Sequence, residues 1–213
     1  MNAQTGAVVL EHGSPAWRRA ASQAKWLSWA SLAYMTAEGA IAIVAAVLAG
    51  SVALLGLGFD SVIEGAGSVI IVWRFSGART LSETAERRAQ RGVALSFWLL
   101  APYIAAESAR DLATGHHPET TVIGMVLTAV ALLEMPLLGW AKHRLAARLG
   151  SAAVAGEGTQ NYLCAAQAAA VLAALAVTAA WHGGWWTDPL IGLGIAAVAV
   201  REGIGSWRGD DCC

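Results

Sequence analysis

The chain has 213 residues, 56% of them apolar or aromatic and 14% charged, with a formal net charge of −1. Counting Gly in place of Tyr brings the apolar share to roughly 65%, against about 45–50% in soluble domains. Its 14 basic and 15 acidic side chains are too few to cover a soluble fold, a near-zero charge gives no basic field for nucleic acid, and three cysteines build no disulfide framework. The class left is an all-α integral membrane protein.

Residues 1–25 read as a cytoplasmic N-terminal tail, and residues 1–15 lack the basic head and apolar run of a signal peptide. A spanning helix needs about 20 mostly apolar residues. Six segments qualify: Trp26–Ala49, Val52–Trp73, Val93–Leu112, Thr121–Trp140, Thr159–Trp181 and Pro189–Gly205. Only Gly50–Ser51 separates the first two, which predicts a tight helical hairpin. Runs of small residues such as Ala165–Ala170 and Gly192–Ala199 let helices approach closely, so residues 26–208 are expected to form a compact six-helix transmembrane bundle. Residues 209–213 are left as a short cytoplasmic tail.

Basic residues orient the bundle. With both termini cytoplasmic, every Lys and Arg except Arg110 falls on the inner side, and the outer loops Ala113–Thr120 and His182–Asp188 carry none. Trp181, Trp185 and Trp186 then lie at the outer interface, and Trp26, Trp29, Trp73, Trp140 and Trp207 at the inner one, as an anchoring belt.

Five acids fall inside the spans: Glu38, Asp60, Glu64, Glu107 and Glu134, with Glu157 at the start of the fifth. No Lys or Arg lies deep in a span to neutralise them. Since an ionisable group in hydrocarbon costs roughly 2.5–3.5 kcal/mol or more, such acids point to a cation or to protons. Asp60 and Glu64 stand four residues apart, on one helix face. Two carboxylates so close in a low dielectric repel, and one holds a proton unless a metal replaces it. At about 1.5 Å per residue, Glu64 lies about 15 Å and Asp60 about 21 Å from Arg74, while Gln160 lies about 18 Å and Cys164 about 24 Å from Arg148. Two antiparallel helices can therefore present Asp60, Glu64, Gln160 and Cys164 at one level, and four mixed O and S donors suit a tetrahedral dication.

With these residues placed, the sequence resembles the cation diffusion facilitator family of metal transporters. Ser51–Glu64 is similar to the family's small-residue run followed by Asp-Ser-x-x-Asp. Glu157-Gly-Thr-Gln160-Asn-Tyr-Leu-Cys164 stands in the place of Asp-x-x-His-x-x-x-Asp, and Trp185-Trp186-Thr-Asp188-Pro189 matches the opening of the sixth helix. The resemblance implies a proton-antiporting efflux carrier, usually homodimeric, in the plasma membrane. It also implies a central site of Asp60, Glu64, Gln160 and Cys164, with Glu38 and Glu157 as possible secondary ligands. Gln160 replaces the usual His and Cys164 the usual Asp, which shifts the site toward softer ions. Residues 209–213 leave no room for the family's C-terminal cytoplasmic domain, so a short form is expected, with any dimer formed through the transmembrane helices.

The leading expectation is thus export of a divalent transition metal, zinc or a softer ion such as cadmium, in exchange for protons. The metal is substrate, and no organic cofactor is expected. A non-transporting scaffold or metal sensor, and a proton-coupled exporter of a small organic cation, are the alternatives. An enzyme is not expected, since the spans hold no Ser/His pair and no His-Glu-x-x-His arrangement. The Cys212–Cys213 tail could capture a soft ion, and His116–His117 could receive one released outside.

Overall fold

The computed structural model describes residues 9–49, 52–115, 122–180 and 186–208. His116–His117, Trp181, Trp185 and Cys212–Cys213 lie outside the described residues, as does the side chain of Asp188. Among the described residues all regular structure is helical: α1 (Pro15–Ala49), α2 (Val52–Arg74), a 3₁₀ turn (Gly77–Leu81), α3 (Glu83–Thr114), α4 (Val122–Leu149), α5 (Ala152–Ala180) and α6 (Thr187–Arg208).

Four of these helices, over Pro15–Leu48, Glu83–Thr114, Val122–Leu149 and Pro189–Arg208, are long and apolar enough to cross a membrane. On α4, Ile123, Val126, Val130, Leu133, Leu137 and Trp140 form an exposed stripe at alternating spacings of three and four residues. Only 17% of the most apolar stretch of α4 is buried. Water does not tolerate so continuous an apolar face, whereas lipid does. The chain is a membrane protein of packed helices.

The helices extend beyond the apolar segments at one end, where α2 meets α3, α4 meets α5, and most Lys and Arg lie. We call this the basic end. α1 starts at Pro15, well ahead of Trp26, because Trp17, Ala20, Ala21 and Ala24 are buried in the main core, and the Trp17 indole donates to Leu149 O at 3.2 Å. Residues 15–25, expected as part of the N-terminal tail, are therefore packed helix continuous with the first apolar segment. α3 likewise starts at Glu83, capped by the Ser82 side chain, which accepts from Ala85 N. Arginines stack over belt tryptophans at this end, Arg79 on Trp73, Arg91 on Trp207 and Arg144 on Trp140.

The closest packing pairs are α1 with α2, α4 with α5, and α3 with α6. α5 also touches α2, α3 and α6 and is the central helix. Small residues make that possible. A Cβ on Gly139 would lie 3.1 Å from Gly158 O, and one on Gly158 3.2 Å from Gly139 O, so α4 and α5 meet backbone to backbone. Gly39 and Gly58 do the same for α1 and α2. The α4–α5 turn is set by Gly150, whose φ of +63° ends α4, by Ser151 N bonding to Ala146 O, and by the Ser151 hydroxyl accepting from Val154 N at the start of α5. This turn fixes the register of α5 against α4.

Candidate metal centre

Asp60 and Glu64 project one turn apart from α2, and Cys164 faces them from α5. One ligand atom from each lies within 4.8 Å of the others. Both acids are buried, and the Cys164 thiol is enclosed in the cluster although the residue as a whole is partly accessible. Donors around a tetrahedral ion are separated by about 3.5 Å at ordinary metal–ligand lengths, so a small rotamer change would close the three on one ion. Asp60 Oδ1 is buried without a hydrogen-bond partner. An orphaned carboxylate oxygen in a dry interior is costly, and a cation or a proton relieves that cost.

Gln160 lies one turn nearer the basic end. Its Oε1 is 3.4 Å from the Ser96 hydroxyl of α3, a weak contact because Ser96 already donates to Val93 O at 2.7 Å. Its Nε2 is buried without a partner. A Cβ on Gly67 would approach Gln160 Oε1 to 2.7 Å, so the absent side chain on α2 makes room for this amide. Gln160 thus sits where α2, α3 and α5 meet, buried and only loosely held.

The two secondary acids are already engaged. Glu38 of α1 accepts from Tyr34 at 3.2 Å and from Ser61 at 3.1 Å. In the Asp60-Ser61 pair, then, Asp60 joins the cluster while Ser61 ties α2 to α1. Glu157 of α5 accepts from Ser68 (2.6 Å) and Ser28 (2.8 Å) and pairs with Lys142 of α4 at 2.9 Å. Lys142 also donates to Asn161 Oδ1 at 2.8 Å, and Asn161 Nδ2 donates to Met135 Sδ.

Lys142 corrects the expectation that no Lys or Arg enters the interior. Its side chain is 1% exposed and that of Glu157 2%. Its neighbours hide the signal in the sequence, because Lys142, His143 and Arg144 read together as a charged helix end. The signal is the period of α4: Ala131, Met135, Gly139, Lys142, Leu145 and Leu149 share one buried face. Glu107 and Glu134 are half-buried on α3 and α4, outside the three-residue cluster.

The chain matches no protein-family model. What fold and site define is a class: an all-helical membrane protein with a buried oxygen, oxygen and sulfur cluster between two packed helices.

Proposed function

We propose that the protein is a secondary carrier that exports a divalent transition-metal ion, zinc or a softer ion such as cadmium, in exchange for protons. The resemblance to cation diffusion facilitators belongs to this reading, as do six spans, cytoplasmic termini, a homodimer formed through the transmembrane helices, and the plasma membrane. One observation carries it: Asp60, Glu64 and Cys164 converge in the interior, and one Asp60 oxygen has no partner there.

In this reading a dication neutralises the two carboxylates when bound, and protons neutralise them when it leaves. The same groups cannot hold both loads, so metal and protons are exchanged through competition for shared oxygens. The Cys164 sulfur biases the set toward soft ions, since thiolate favours zinc and cadmium over magnesium or manganese. Alternating access follows from movement of α2 against α5, which share few contacts compared with the hairpin pairs.

The test is a panel of divalent ions offered to proteoliposomes that hold the purified protein and an internal pH indicator. Zinc- or cadmium-driven proton release supports the carrier. Saturable metal binding without flux favours a scaffold or sensor, and competition by organic cations favours an organic-cation exporter.

A further inference from the structure

Directly toward the basic end from the Asp60–Glu64–Cys164 cluster, four helices contribute to one buried polar knot. Ser68 follows Glu64 by four residues on α2, and Asn161 precedes Cys164 by three on α5, so the knot continues the same helix faces. Ser28 comes from α1 and Lys142 from α4. The Lys142 ammonium rests against a carboxylate oxygen of Glu157 at 2.9 Å and the amide oxygen of Asn161 at 2.8 Å, while the Ser28 and Ser68 hydroxyls hold the Glu157 carboxylate in place. A carboxylate and an amide oxygen are also the donors that a free hard cation seeks. The seat is cation-shaped, and its occupant is tethered to the chain.

A buried ion pair is a poor source of stability, because desolvation of both charges offsets most of their attraction. A pair of apolar side chains would hold α4 to α5 at least as well. What the pair adds is a second state: the ammonium can leave the seat, and an apolar contact has no equivalent exchange. The positive charge of Lys142 lies on the basic-end side of the cluster, against Glu157 and Asn161, which precede Cys164 on α5.

We propose that Lys142 is a tethered cation that closes the basic-end route to the Asp60–Glu64–Cys164 cluster, and that an incoming substrate cation displaces it from Glu157 and Asn161. This rests on the carrier reading for its purpose, and its test does not. The full chain carrying Cys212→Ser and Cys213→Ser retains Cys164 as its one thiol. Vesicles holding it, free of metal, are treated on each face with a membrane-impermeant maleimide. Cys164 labels slowly from the basic-end face in this parent. Lys142→Ala raises that rate by about tenfold or more and leaves the rate from the opposite face unchanged, as expected when a closed local state becomes an open one. Lys142→Arg labels like the parent.

A lone buried Glu157 carboxylate could prevent Lys142→Ala from folding. The double variant Lys142→Met with Glu157→Gln removes both charges at similar volume and is expected to fold and to label as fast. Parental labelling in either folded variant overturns the proposal, as does an equal rise from both faces, which reports general loosening. Fast labelling in these variants, together with a parent protein that moves no metal, overturns the carrier reading and leaves the closure intact.

Discussion

Glu86 of α3 accepts the backbone amide of Ala153 in the first turn of α5 at 3.1 Å. The same oxygen takes the Ser151 hydroxyl at 2.7 Å, and the other carboxylate oxygen takes the Arg74 guanidinium at 2.7 Å. One side chain thereby satisfies an orphan amide at a helix start and neutralises a cation that is 3% exposed, tying α2, α3 and α5 together at the basic end. Glu86→Ala is expected to destabilise the protein by about 3–5 kcal/mol, because it strands a buried charge. Glu86→Gln keeps an acceptor for Ala153 and should cost less. Thermal denaturation in detergent micelles measures both, and equal losses would show that the lost charge facing Arg74 accounts for the whole cost and the acceptor for Ala153 for none of it.

The backbone contact between Gly139 and Gly158 holds α4 and α5 in the register that brings Lys142 to Glu157. Gly139→Val must push against Gly158 O and the Tyr162 ring, both close to any added Cβ. A loss of about 1–3 kcal/mol is expected from overpacking. The same melting experiment checks it, and an unchanged midpoint would mean that the two helices separate freely.

Ser61 and Asp60 are neighbours with different tasks. Ser61→Ala removes the hydroxyl that donates to Glu38 and is expected to cost stability by about 0.5–1.5 kcal/mol, as for an ordinary intramolecular hydrogen bond. Metal affinity should stay within about threefold, or 0.7 kcal/mol, of the parent. Isothermal titration with zinc measures this, and a large loss of affinity in a folded variant would place Ser61 among the ligands.

Cys164→Ser exchanges a soft donor for a hard one at the same position. Cadmium binding is expected to weaken by about tenfold or more, and manganese binding by far less. Competition titrations with the two ions check the ratio. An equal loss for both would remove the sulfur from the ligand set.

Much of this arrangement was legible in the residues themselves. The apolar segments marked the helices, and the spacing of Asp60 and Glu64, matched in depth to Cys164, brought those three together. Where reading failed, the cause was long-range packing. Trp17, Ala20, Ala21 and Ala24 look like the end of a tail until the α4–α5 turn gives them a surface to bury against. Lys142 looks like one more interfacial cation until the face it shares with Met135 and Gly139 is traced inward. Gln160 was expected level with the two acids and instead lies a turn nearer the basic end, beside Gly67 of α2 and Ser96 of α3, because packing against α3 is not set by spacing within α2 and α5. Short-range spacing constrains one helix, and the partners across a bundle come from packing.

The most direct test of the carrier is proton flux driven by zinc or cadmium in proteoliposomes, compared between the parent protein and Asp60→Ala. Asp60 has a buried oxygen without a partner, so its removal should leave the helices packed while taking away one charge of the site. The account predicts that the variant folds, elutes as the parent does, and shows no metal-driven flux above protein-free vesicles. Parental flux from that variant would contradict it.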